Sequence, residues 1–220
     1  MGKLIVFEGL DGSGKSTQLN AFTDRLKQLG KEYRQIKLPD YEDDSSALVR
    51  MYLNGRFGSR PSDVNAFAAS AFYAVDRYAG FKAKWGEEYN SGKLIVADRY
   101  TTSNAVHQCS KLSNEERDSY LEWLYDFEFG KLELPKPDMV IFFDMPPEVS
   151  QKLMTHRYDE DESKKDIHER DVEYLEHCRQ AALYAADKLG WQVIKCSADG
   201  EPLSIEQIAD KVWELLSDLV

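Results

Sequence analysis

The sequence predicts an α/β fold, a five-stranded parallel sheet covered by helices on both faces. Two observations carry that expectation. Five short apolar runs of strand length alternate with longer stretches of helical periodicity. The first run also leads through a glycine-rich loop straight into a helix, the order in which a strand–loop–helix unit is built. Strands joined through helices run parallel, with right-handed crossovers.

Taken in order, the strands are expected at Leu4–Glu8, Tyr33–Leu38, Leu94–Ala97, Met139–Phe143 and Trp191–Cys196. Thr17–Leu29 is the first helix, with Gly30 placed to cap its carboxyl end. Ser62–Tyr89 reads as one long helix and Asn114–Phe127 as the next. A helix over Pro147–Thr155 follows the fourth strand, and Asp171–Leu189, stopped by Gly190, leads into the fifth. Ser204–Leu216 is the last helix. No Gly/Ser-rich linker, internal repeat or low-complexity tract intervenes, so residues 1–220 read as a single domain large enough to bury a substantial core.

The balance of 42% hydrophobic and 30% charged residues is ordinary for a globular protein. No apolar run approaches the roughly 20 residues that cross a bilayer. Met1 passes directly into the first strand, too short a stretch for a signal peptide. The expectation is a cytoplasmic protein without a membrane partner. Cys109, Cys178 and Cys196 are odd in number and far apart, which fits reduced thiols and no zinc site. A formal charge of −11 argues against a nucleic-acid polymer as partner. A nucleotide would have to find a local positive site within that negative field.

Such a site is written into residues 9–16. Gly9-Leu10-Asp11-Gly12-Ser13-Gly14-Lys15-Ser16 matches G-x-x-x-x-G-K-[ST] in full and is followed by Thr17. A chain of this length meets that pattern by chance on the order of one time in a hundred. The glycines let successive backbone N–H groups curl round a phosphate, and the helix that follows adds its positive end. Lys15 then bridges the β- and γ-phosphates, and the Ser16 hydroxyl takes one Mg²⁺ position. The motif points to a three-layer P-loop fold with a nucleoside-triphosphate site, which kinases, GTPases, motor ATPases and sulfotransferase-like folds share, so it leaves the reaction open.

Further residues narrow it. No guanine-reading N-K-x-D occurs, and the third strand ends in Asp98-Arg99-Tyr100 instead of a hydrophobic run into Asp-Glu. Asp98 could hold a Mg²⁺-bound water or orient an acceptor phosphate, and Arg99 could neutralise that phosphate; a plain ion pair is the bland alternative. Tyr73 and Arg77, at i and i+4, share a helix face that could stack and hydrogen-bond a base. Those aromatics could equally be core. Tyr158–Lys165 is almost wholly charged, which suits a solvated loop or a lid.

The motifs together resemble the thymidylate kinase family of nucleoside-monophosphate kinases. Glu8–Thr17 looks like that family's phosphate loop, with its acidic residue two after the first glycine. Leu38-Pro39-Asp40-Tyr41 is similar to its F-P-x-Y, and Asp98–Asn104 to its D-R-Y-x-x-S-[NG]. Pro135–Asp138 and Phe143–Glu148 resemble its P-x-P-D and L-D-x-P-P-E segments, so the likeness runs from residue 4 to about 200. It implies strand order 2-3-1-4-5, Mg²⁺-dependent transfer of a phosphoryl group from ATP to dTMP, and a homodimer.

The resemblance also implies roles. Asp11 would meet the dTMP 3′-hydroxyl, and Arg99, with Tyr41 and the neighbouring Pro39, the 5′-phosphate. Tyr73 would stack on thymine, where relatives more often have Phe. Arg77 would reach O4, Asn104 the N3/O4 edge, and Ser103 lies in the same motif. His107 stands where relatives carry an aromatic near the sugar, so preference for the 2′-deoxy sugar is expected. Ser197 and Ala198 would line adenine. The phosphate-loop position that is basic in some relatives is Gly12 here, so the missing cation falls to a short lid over about 156–168. Arg157, Lys164 and Lys165 are its candidates; Arg157 could instead cover adenine, leaving Lys164 or Lys165 to touch the transferring phosphate, and the familiar D-R-x-[ED] lid run is absent. Two rival classes remain: a deoxynucleoside kinase using Asp40, Glu42 or Asp43 as base, and a nucleotide-binding regulator that transfers nothing.

Overall fold

The structure, a computed structural model, describes residues 1–157 and 172–220. Five strands, Leu4–Glu8 (β1), Tyr33–Lys37 (β2), Leu94–Asp98 (β3), Met139–Asp144 (β4) and Gln192–Lys195 (β5), form one sheet in the order β2-β3-β1-β4-β5. Both the order and each strand agree with the expectation, every boundary to within one residue. Helices Lys15–Gln28 (α1), Ala47–Leu53 (α2), Ala66–Gly80 (α3), Gly86–Asn90 (α4), Thr102–His107 (α5), Asn114–Tyr125 (α6), Pro147–Arg157 (α7), Val172–Leu189 (α8) and Ile205–Leu216 (α9) are described. A small hairpin, Ser197–Ala198 (β6) and Glu201–Pro202 (β7), precedes the last of them.

Burial explains the sheet order. All five residues of β1 are buried, as a central strand covered on both faces requires. Only Ile36 of β2 is buried, which marks an edge. β2 pairs with β3 in parallel, Lys37 opposite Asp98, and β4 with β5, Asp144 opposite Lys195. In open parallel sheets the carboxyl ends of the strands are where ligands bind.

The chain forms two compact units, Met1–Val6 with Tyr33–Asp138, and Phe7–Glu32 with Met139–Val220. In the second, Phe7 is fully buried between Phe22 (ring centroids 5.5 Å) and Phe143 (5.6 Å). Phe7→Ala is expected to cost about 3–5 kcal/mol of stability, read as a lower urea midpoint with unchanged slope. A loss below about 1 kcal/mol would show that this ring is not core.

Three helical expectations need correction. The long helix expected over residues 62–89 begins only at Ala66, after the Asn65 N-cap, and is α3, a π-helical turn over Phe81–Trp85, and α4. Phe81, Trp85 and Tyr89 pack edge-to-face at 4.8–6.4 Å, so the four-residue aromatic spacing runs through the wider turn and hides it. The helix expected to end at Phe127 stops at Tyr125, in a second π-helical turn, Asp126–Lys131. α1 begins at Lys15, two residues early, because Gly14 adopts φ +81° and supplies the N-cap. Two short helices, α2 and α5, had no sequence signal. Gly30 and Gly190 follow α1 and α8 at positive φ, as expected.

Among the described residues no helix is long and apolar enough to cross a membrane. The expected lid lies outside the described residues except for its first two backbone positions; Lys164, Lys165 and the Arg157 side chain lie outside them too.

Candidate active site

The phosphate loop sits at the carboxyl end of β1. Buried Glu8 accepts the Gly9 N–H through Oε1 at 2.9 Å, and Ser13 N–H returns to the Leu10 carbonyl at 3.1 Å. Gly9 must be glycine: a Cβ there would lie 2.6 Å from Ser13 Oγ and 3.3 Å from Phe143 Cβ. α1 then starts with no side-chain cap and no acidic residue in its first turn. Its first N–H groups and dipole are thus not answered by any side chain of the helix, which suits an anion. Ser13 Oγ is buried without a hydrogen-bond partner among the described residues. Lys15 is buried, Ser16 and Thr17 are exposed, and Asp11 and Gly12 are half-buried.

Two other features belong to this unit. Asp144, at the carboxyl end of β4, receives two hydrogen bonds from Arg179 of α8, Nε–Oδ1 at 2.6 Å and Nη2–Oδ2 at 3.1 Å. That carboxylate holds the Arg179 guanidinium even more firmly charged than usual. Ser197 and Ala198 form β6, just past Cys196, whose N–H donates to the Asp144 carbonyl at 2.9 Å.

The remaining expected residues lie in the other unit. Asp98 is buried at the end of β3, and its carbonyl accepts Leu38 N–H at 3.1 Å. Arg99 follows with φ +69°, a left-handed backbone that costs a non-glycine residue about 1 kcal/mol. Its Nη1 lies 3.2 Å from His107 Nε2 and 3.4 Å from Ser103 Oγ. A guanidinium only donates, so Nε2 is the acceptor at this contact.

α3 carries Tyr73, Asp76 and Arg77. Burial pushes the Tyr73 phenol well up; Tyr41 and Tyr52 add to the rise, while the Arg99 and Arg77 guanidiniums oppose it. Tyr41, Arg77 and Arg99 each therefore lie within electrostatic reach of Tyr73. Arg77 is almost wholly buried and forms a two-pronged ion pair with Glu128, Nε to Oε2 at 2.7 Å and Nη2 to Oε1. Thr101 Oγ1 donates to Glu128 Oε2 at 2.5 Å, and Asn104 Nδ2 lies 3.3 Å from the Ser70 carbonyl and 3.5 Å from Glu128 Oε1.

Three side chains fasten the loop that follows β2, which contains the cis Leu38–Pro39 bond and the half-exposed Tyr41. Buried Asp76 accepts Asp40 N–H at 3.0 Å and Ser45 Oγ–H at 2.7 Å. Lys84 Nζ bridges Asp40 (2.7 Å) and Asp43 (2.6 Å). Arg50 donates to the Tyr41 and Asp43 carbonyls at 2.8 and 2.7 Å. Hydrogen bonds from Lys84 and Ser45 hold the Asp43 carboxyl far below the usual range. Glu128, Lys84, Arg50 and Arg179 escaped sequence reasoning; Asp76, next to Arg77 on the same helix, was given no role.

Among the described residues no group of three or more His, Cys, Asp or Glu could hold a metal ion by itself. Ser16 and Asp98 are hard oxygen donors, the type Mg²⁺ prefers when triphosphate oxygens complete its shell.

The model of the family described as thymidylate kinase matches residues 7–208. A thymidylate kinase of Mycobacterium tuberculosis (strain CDC 1551 / Oshkosh) is 28% identical over 206 residues, covering 90% of this chain and 93% of its own. One from Ligilactobacillus salivarius is 27% identical over 187 residues, 84% of this chain and 85% of its own. A solved thymidylate kinase structure from Candida albicans has the same fold, with TM-score 0.69 at 21% identity, covering 99% of this chain and 92% of its own.

Proposed function

The chain belongs to the thymidylate kinase family, and on that premise we propose how its residues divide the transfer of the ATP γ-phosphoryl group to dTMP. The phosphate loop, Gly9 to Thr17, holds the triphosphate, with Lys15 on the β- and γ-phosphates. Arg99, helped by Tyr41, Pro39 and Ser103, takes the dTMP phosphate. Tyr73 stacks on thymine, Arg77 and Asn104 read its edge, His107 lies by the sugar, and Asp11 accepts the 3′-hydroxyl. Ser197 and Ala198 border adenine. The observation that carries this reading is the cluster of Tyr73, Arg77, Arg99 and Asn104 in one unit.

The attacking dTMP phosphate oxygen is already anionic, so no base is needed. That oxygen bonds to the γ-phosphorus while the β–γ bridging P–O bond breaks, and its electron pair leaves with ADP. Ser16 and Asp98 would hold Mg²⁺, which when bound neutralises phosphate charge. Arg157, Lys164 and Lys165 are proposed to bring the further cation. A homodimer in the cytoplasm completes the proposal.

One observation weighs against a deoxynucleoside kinase. Asp40 and Asp43, two of its three candidate bases, are both tied to Lys84, and Asp43 is held strongly ionised. A carboxylate so stabilised is a poor proton acceptor. Incubation with ATP and either dTMP or thymidine tests the reading: dTDP and ADP are expected from dTMP. Phosphorylation of thymidine alone would refute it, and ADP release indifferent to any monophosphate would favour the regulator.

Asp76→Ala is expected to raise the KM for dTMP about 3–10-fold, because two donors of the loop bearing Tyr41 lose their acceptor. KM for ATP should stay within about twofold. An unchanged dTMP KM would show that the loop is held without Asp76.

A further inference from the structure

The base-facing residues share a carboxylate whose consequence reaches beyond the roles given above. Glu128 is fully buried in the π-helical turn after α6, and four side-chain N–H or O–H groups converge on it: two from Arg77, one each from Thr101 and Asn104. A carboxylate of this kind only accepts, and so does the Ser70 carbonyl beside it. Every group turned toward them is therefore a donor.

For Asn104 this settles which way the amide faces. Nδ2 points at Ser70 and Glu128, so Oδ1 points away, and Oδ1 accepts nothing from the described residues. The Asn104 backbone is fixed as well, its carbonyl accepting Tyr120 Oη–H at 3.3 Å. For Arg77, Glu128 occupies one N–H on Nε and one on Nη2, and the Tyr100 carbonyl lies 3.4 Å from Nη1. One N–H is left on each terminal nitrogen. The outward-facing pair is a donor from Arg77 and an acceptor from Asn104.

We propose that Glu128 is the positioning residue that sets the polarity of base reading, turning Arg77 and Asn104 into a fixed donor–acceptor pair. This rests on the dTMP reading above. The pair matches a pyrimidine edge with a carbonyl oxygen at C4 beside an N3–H. It opposes an edge with an exocyclic amine beside a bare N3, where donor meets donor and acceptor meets acceptor. Unpaired polar groups in a buried site are what make such discrimination large. A glutamine at 128 could donate as well as accept, so the Ser70 carbonyl alone would then hold the Asn104 amide in this orientation and the grip on Arg77 would weaken.

The experiment compares Glu128→Gln with the parent on dTMP, dUMP and dCMP at saturating ATP. KM for dTMP and for dUMP should each rise about tenfold with kcat nearly constant, and the preference in kcat/KM for dTMP over dCMP should fall about tenfold. KM for ATP stays at the parent value. Thr101→Val, which removes one donor without altering charge, should shift the same ratio about threefold and decides the matter if Glu128→Gln does not fold. An unchanged dTMP:dCMP ratio in a folded variant overturns the proposal. So does an equal fall in kcat on all three substrates with KM unchanged, since that is the mark of a purely structural group. A parent enzyme inactive on dTMP would instead sink the functional reading itself.

Discussion

Lys15→Ala is expected to lower kcat by about 10³-fold or more while the fold persists. The side chain is buried at the start of α1, directly after the left-handed Gly14, so the loop delivers its ammonium to a fixed place. The surrounding chain carries a net charge of −11, and a triphosphate meeting a monophosphate adds more negative charge. A cation on the β- and γ-phosphates reduces that repulsion most when the bridging bond is breaking and charge moves to the β-oxygens. A 10³-fold loss corresponds to about 4 kcal/mol, within the range for removing one preorganised donor to developing charge. Nucleotide affinity should fall less than kcat, because the loop N–H groups and helix dipole remain. Stability should hold, since a cation at a helix N-terminus opposes the macrodipole and its removal relieves that conflict. Coupled ADP release gives kcat, and urea unfolding monitors the fold. Turnover within about tenfold of the parent would remove Lys15 from the chemistry.

What the residues disclosed in advance depended on how local their causes are. β1 was legible because five consecutive buried residues leave an unbroken apolar run, and the phosphate loop because its backbone demands glycine at fixed places. α5, only six residues long, is too short to show periodicity, though it holds Ser103, Asn104 and His107. The π-helical turns were hidden because Phe81, Trp85 and Tyr89 keep helical spacing while the backbone widens beneath them. Glu128 was the least legible of all. It stands between Phe127 and Phe129, and its reason for burial is Arg77, 51 positions away. The same holds for Lys84, whose partners Asp40 and Asp43 lie on the far side of α2 and α3 in the sequence. The i, i+4 spacing of Tyr73 and Arg77 left base contact and core packing both open, and could not show that half of the Arg77 guanidinium is committed to Glu128.

Arg99→Ala is the second large effect expected, a loss of about 10²–10³-fold in kcat/KM for dTMP, with KM for ATP little changed. The guanidinium is the charged group proposed for the acceptor phosphate, and Ser103 and His107 lie 3.4 and 3.2 Å from it. His107 adds no competing negative charge at that contact. The backbone supplies a separate test of whether this position is shaped for function. At φ +69° a side chain is strained and glycine is not. Arg99→Gly should therefore lose dTMP turnover as fully as the alanine variant, yet fold as stably as the parent or more so by about 0.5–1 kcal/mol. The gap between the two variants in urea unfolding then measures the strain, while their common loss of activity measures the guanidinium. If either variant binds and phosphorylates dTMP at the parent rate, the acceptor phosphate is held elsewhere. If glycine is instead less stable than alanine, the left-handed backbone is not the source of strain, and Arg99 must be contributing to the fold through its contacts.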